Sequence, residues 1–62
     1  MTENDRFINI KEVQTFIGLR HNMIYQMVKA GTFPRPIKLG TASRWSLRAV
    51  QEWMAAQIKA AA

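Results

Sequence analysis

Asn22, Tyr25, Gln26 and Lys29 recur at spacings i, i+3, i+4 and i+7, which puts them on one face of a helix. Amide and cationic side chains on one helix suit the major groove of duplex DNA, where base edges are read by such groups. Asn22 and Gln26 match adenine edges, Lys29 matches guanine or a phosphate, and the Tyr25 hydroxyl matches a phosphate. An ordinary solvated face more often carries Glu–Lys pairs, and this one carries no acid. Arg20 and His21 stand where the same helix begins, beside backbone N–H groups that welcome an anion. A Ser or Asp in place of Arg20 caps a helix better, by roughly 1 kcal/mol. An Arg retained there suits a phosphate, while His21 is nearly as compatible with a plain surface role.

Further along, Arg35 lies between two prolines, and Lys38 and Arg44 fall on two short segments of strand-like alternation. On a hairpin with both side chains pointing outward, Lys38 and Arg44 carry charge to a DNA backbone or minor groove. They also protect an edge strand from aggregation, and the two roles are compatible.

The distribution of charge agrees with an anionic partner. The chain has 62 residues, nine Lys or Arg and four Asp or Glu, for a formal charge of +5. Glu3, Asp5 and Glu12 lie early and Glu52 late. Between Val13 and Gln51 there is no acid, while Arg20, Lys29, Arg35, Lys38, Arg44 and Arg48 are spread through that stretch. A polyanion is the natural partner for such a surface. With no cysteine and the single His21, neither a disulfide nor a zinc site is expected. There is no nucleophile–His–acid set, no carboxylate pair and no phosphate-cradling glycine loop, so neither an enzyme nor a cofactor is expected. A chain this small also lacks the volume of a typical ligand pocket, so no small-molecule ligand is expected. No apolar run approaches the roughly 18 to 20 residues needed to span a bilayer, and the polar, acidic start does not resemble a signal peptide. The chain reads as a soluble intracellular protein with no membrane partner.

These side chains need elements to hold them. Residues 1–6 read as a flexible lead-in. Phe7 and Ile8 form either a brief strand or an extended approach to a first helix over Ile10 to Ile17. Asn9 serves as N-cap, with Glu12 completing a capping box. Ile10, Val13, Phe16 and Ile17 share the buried face of that helix, Gly18 closes it, and Leu19 plugs the turn. A second helix over His21 to Ala30 buries Met23, Ile24, Met27 and Val28, and Gly31 and Pro34 end it. Helix, glycine turn and helix form a helix-turn-helix signature. Strands at Ile37–Leu39 and Ser43–Trp45 join through Gly40-Thr41-Ala42, with Trp45 facing inward. The last helix, Leu47 to Lys59, has Ser46 as N-cap, Trp45 stapled onto Val50, and a buried stripe of Leu47, Val50, Met54 and Ile58 with Trp53 at its edge. The methionines and both tryptophans belong to the core. Residues 60–62 extend or fray that helix. The fold class is mainly α with a small β-hairpin, a winged helix-turn-helix over residues 7–59.

Gly18-Leu19, Ile24-Tyr25, Gly31-Thr32-Phe33-Pro34, Ile37-Lys38-Leu39-Gly40, Arg44-Trp45, Val50 and Trp53 together resemble the AlpA family, small phage and prophage regulators with a MerR-like fold. The resemblance runs from about Ile8 to Ile58. It implies sequence-specific double-stranded DNA binding, as transcriptional regulator or excisionase (recombination directionality factor), in the cytoplasm of a prokaryotic host at its nucleoid. It also implies the second helix in the major groove, the hairpin as wing, and integrase and neighbouring copies as partners. The chain departs from the usual pattern at Arg20-His21-Asn22-Met23, where the family often has Ser-Arg-Ser-Thr. Further departures are Gln26, where an Arg is common, and Ala49, where an acid is common. Two other classes stay open. A protein-interaction module would dock a partner through the Ala-rich last helix. An RNA or single-strand binder would need exposed aromatics for stacking, for which only Tyr25 qualifies.

Overall fold

The computed structural model describes residues 5–61. The elements are β1 (Phe7–Ile8), α1 (Ile10–Ile17), α2 (His21–Ala30), β2 (Ile37–Leu39), β3 (Ala42–Ser46) and α3 (Leu47–Ala61). Three helices with a small antiparallel sheet make a winged helix-turn-helix. Most of the flexible lead-in expected over residues 1–6 lies outside the described residues, as does Ala62.

Local chemistry sets the helix ends. Asn9 is extended, and its Oδ1 accepts the Glu12 N–H at 2.9 Å while Glu12 Oε1 accepts the Asn9 N–H at 3.3 Å. This capping box satisfies two N–H groups that the helix itself cannot. Gly18 and Gly31 close α1 and α2 in the left-handed region, at φ 72° and 82°, where a side chain would be strained.

Phe7–Ile8 is a strand. It pairs with β3 (Phe7 with Ser46, Ile8 with Trp45), and β2 pairs with the other edge of β3, giving the order β1-β3-β2. Leu39 pairs with Ala42, so the hairpin loop is Gly40-Thr41 and Ala42 belongs to β3. Gly40 has φ 66°, as the first central position of a type II′ turn requires.

The register also corrects the expected placement of the wing cations. Lys38 pairs with Ser43 and Arg44 with Ile37, and directly paired residues share a face. Lys38 therefore lies on the face of Ser43 and Trp45, and Arg44 lies on the opposite one with Ile37 and Leu39.

Ile8, Val13, Ile24, Trp45 and Val50 are fully buried and Phe33 and Leu47 nearly so, with Ile10, Ile17, Met27, Val28, Trp53 and Met54 packed around them. Every element except β2 contributes to this cluster. The buried Trp45 indole N–H donates to the Pro34 carbonyl at 2.9 Å, and Trp53 Nε1 donates to the Thr32 carbonyl at 2.7 Å. Phe33 meets Trp53 edge-on, with ring centroids 4.9 Å apart. The connection between α2 and the hairpin is thus anchored on both sides of Phe33.

Four apolar residues expected inside lie outside. Phe16, Leu19, Met23 and Ile58 are 39, 36, 46 and 71% exposed. Phe16, Leu19 and Met23 fall at the margins of the α1–turn–α2 unit, where no third element among the described residues covers them. Ile58 lies in the last turns of α3, where all residues from Ala55 to Ala61 are exposed.

Candidate nucleic-acid interface

The outward face of α2 is made as the spacing predicts. Asn22, Tyr25, Gln26 and Lys29 are exposed, while Ile24 is buried and Met27 and Val28 pack on the core. Arg20 occupies the N-cap with φ −75° and ψ 157°, and no side chain caps the helix. His21 follows as its first residue. Lys29 lies in the last turn, where a cation complements the helix dipole.

Among the described residues, none of the side chains of Arg20, His21, Asn22, Tyr25, Gln26, Lys29, Arg35 and Lys38 makes a hydrogen bond or ion pair. Tyr25 is oriented by packing instead, its ring tilted 53° to Trp45 with centroids 6.0 Å apart. That contact ties the α2 surface to the base of the wing. Arg35 is exposed on the connection between Pro34 and Pro36. Lys38 is exposed on β2. Arg44 differs from the rest: it is half-buried, and its guanidinium donates to the Ser43 carbonyl at 2.9 Å.

The described acids are all engaged elsewhere. Glu12 serves the α1 capping box and bridges Arg6 at 3.1 Å; Arg6, the Asn9 N–H and the charge of Arg44 hold its carboxyl below the usual range. Glu52 bridges Arg48 at 3.2 Å. Asp5 caps α3: its carboxylate accepts the Arg48 N–H at 3.1 Å and the Ser46 hydroxyl at 2.9 Å, and these bonds hold its pKa below the ordinary carboxylate value. Ser46 Oγ in turn accepts the Ala49 N–H, and the Arg6 carbonyl accepts the Leu47 N–H. Asp5 and Glu12 thus support helix starts, Glu52 pairs along α3, and none of the three shares the α2 face with its cations and amides.

An open hollow of about 330 Å³ lies at the start of α2, lined by Gly18, Leu19, Arg20, Asn22, Met23 and Gln26. Its volume reaches the lower end of ordinary ligand pockets, larger than the length of the chain suggests, but it opens to solvent. It adds Leu19 and Met23 to the surface that the polar residues occupy. Their apolar character reads as core from sequence alone. The signal that could have placed them outside is the helical wheel, on which Met23 borders Gln26. No cluster of metal-ligating side chains occurs among the described residues, and no helix is long and apolar enough to cross a membrane.

The site is thus a helix-turn-helix whose second helix has an acid-free outer face, with a β-hairpin beside it. Residues 6–58 match the family model described as prophage CP4-57 regulatory protein (AlpA), and the chain belongs to that family. It is also similar to a protein of Enterobacteria phage P4 described as uncharacterized protein ORF88. The two are 34% identical over 55 residues, which cover 87% of this chain. The chain spans 62% of that relative's length. No solved structure matches it significantly.

Proposed function

We propose that this chain is a sequence-specific double-stranded DNA-binding regulator of phage or prophage origin, with α2 in the major groove and the hairpin along the backbone or minor groove. The observation that carries the reading is the α2 face. Asn22, Gln26 and Lys29 point outward beside Arg20 and His21, with no acid among them and no partner within the described chain. Asn22 and Gln26 then read bases, while Arg20, His21, Tyr25, Lys29, Arg35, Lys38 and Arg44 position the protein on phosphates. Membership in a prophage regulatory family supports the same reading.

Titrations on a preferred duplex and a scrambled one, at several salt concentrations, test it. Gln26→Ala should lose about 1 to 3 kcal/mol on the preferred duplex and little on the scrambled one, because an amide releases no counterions. Lys38→Ala should weaken both and flatten the log–log salt slope by about one unit. Equal loss on both duplexes for Gln26→Ala, or an unchanged slope for Lys38→Ala, would overturn the assignment.

Within this reading, excision and transcription differ in copy number and DNA shape. An excisionase loads several copies beside an integrase and bends the DNA, which circular-permutation gel shifts detect. One copy on a straight duplex, without effect on integration, leaves transcriptional control. The exposed last turns of α3, with Ile58 uncovered, favour a second reading in which that helix docks a protein partner. DNA binding that survives alanine replacement across the α2 face would select it.

A further inference from the structure

We infer that Leu19 and Met23 form an apolar hollow that takes the 5-methyl group of a thymine, so that the α2 face reads A·T pairs by hydrocarbon contact as well as by amides. This rests on the DNA-binding reading above and names what part of that surface recognises. Leu19 and Met23 are 36 and 46% exposed, yet they are not scattered: both line one hollow, with Arg20, Asn22 and Gln26 lining the rest. The ligand that fits must present a small apolar knob among hydrogen-bonding edges and beside negative charge. In the major groove thymine does this, with its methyl next to the O4 acceptor and the phosphates close by. The adenine of an A·T pair adds the N6 and N7 pattern that an amide matches. Gln26 and Asn22 stand on the same hollow as the two apolar side chains, so one face supplies both contacts. Methionine suits the role, because its unbranched thioether chain adapts to the shape of what it meets. A protein partner's apolar side chain fits this rim less well, since an amide and a guanidinium would face its hydrocarbon.

The test begins with a duplex selected by the chain from a random-sequence pool. Each thymine is then replaced in turn by deoxyuridine, which removes the methyl and leaves the base-pairing edge intact. At one or more positions affinity should fall roughly four-fold, the equivalent of about 0.8 kcal/mol for a buried methyl-sized group. The variant carrying both Leu19→Ala and Met23→Ala should bind the thymine duplex as weakly as the unaltered chain binds the deoxyuridine one, and should no longer distinguish them. Met23→Leu should keep the preference. Both side chains lie at the surface, so thermal melts of the variants should stay near the parent's. The deoxyuridine series needs no variant at all. If every thymine can be replaced without loss, or if the double variant still prefers thymine, the inference is wrong. A pool that yields no preferred sequence overturns the DNA-reading proposal along with it. A preferred sequence without methyl sensitivity overturns the inference alone.

Discussion

Trp45 joins several parts of the molecule. Its ring is fully buried among residues from β1, α1, α2 and α3, its N–H holds Pro34, and Tyr25 rests against it. Trp45→Ala removes the largest core side chain and should cost about 3 to 5 kcal/mol. Small domains have few kcal/mol to lose, so circular dichroism should find the variant largely unfolded at room temperature. A cooperative melt close to the parent's would show that the indole is not needed for the core. Asp5 makes a different kind of contribution. The Arg48 N–H and the Ser46 hydroxyl lower its pKa in the folded state, so folding is favoured while Asp5 is ionised. That stability is fully present above the unfolded value of about 3.9 and is lost as pH falls through the lower folded value. Glu12, also lowered, acts in the same direction. The melting temperature should therefore drop on acidification below about pH 4. Asp5→Ala should melt lower at neutral pH and lose less on acidification; an acid limb as steep as the parent's would remove Asp5 from this role.

At the scale of elements, the ends of α1 and α2 are legible because their chemistry is local. Asn9 meets Glu12 three residues away, and Gly18 and Gly31 need only their own backbone. The outward polar face of α2 is equally legible, since one helix determines it. What depends on neighbours is less so. Nothing in the hydropathy of Phe16, Leu19 or Met23 says that no element will cover them. The cap of α3 joins Asp5 to residues 41 and 43 positions later, and it exists only because β1 pairs with β3. Likewise, Lys38 and Arg44 fall on opposite faces because the loop has two residues rather than three, and one step of register turns every side chain over. The last turns of α3 yield a prediction of the same kind. From Ala55 onward the helix touches no core, so ending the chain after Gln57 should change stability by less than about 1 kcal/mol in thermal or urea melts. A larger loss would mean that this segment packs on something.

Across the whole molecule, Asp5 and Glu12 support helix starts and Glu52 pairs with Arg48, while most cations of the α2 face, the connection and the wing are left without internal partners among the described residues. Arg20, Lys29, Arg35 and Lys38 are exposed and unpaired among the described residues. If all four meet phosphates as proposed, the counterions released give a log–log salt slope of roughly −3.6. Arg44, held to its own strand, should add less. Binding isotherms from low to moderate salt would measure this, and a slope near zero would deny the phosphate contacts. The anchored connection between α2 and the hairpin has a mechanical consequence. Two indoles grip its carbonyls, Phe33 is buried within it, and two prolines stiffen it. The helix and the wing are therefore the jaws of a calliper whose gap is set in advance. Under the proposed DNA-binding function, a duplex that does not match that gap must be the part that yields, and sequences that flex easily gain an advantage at base pairs the protein never touches.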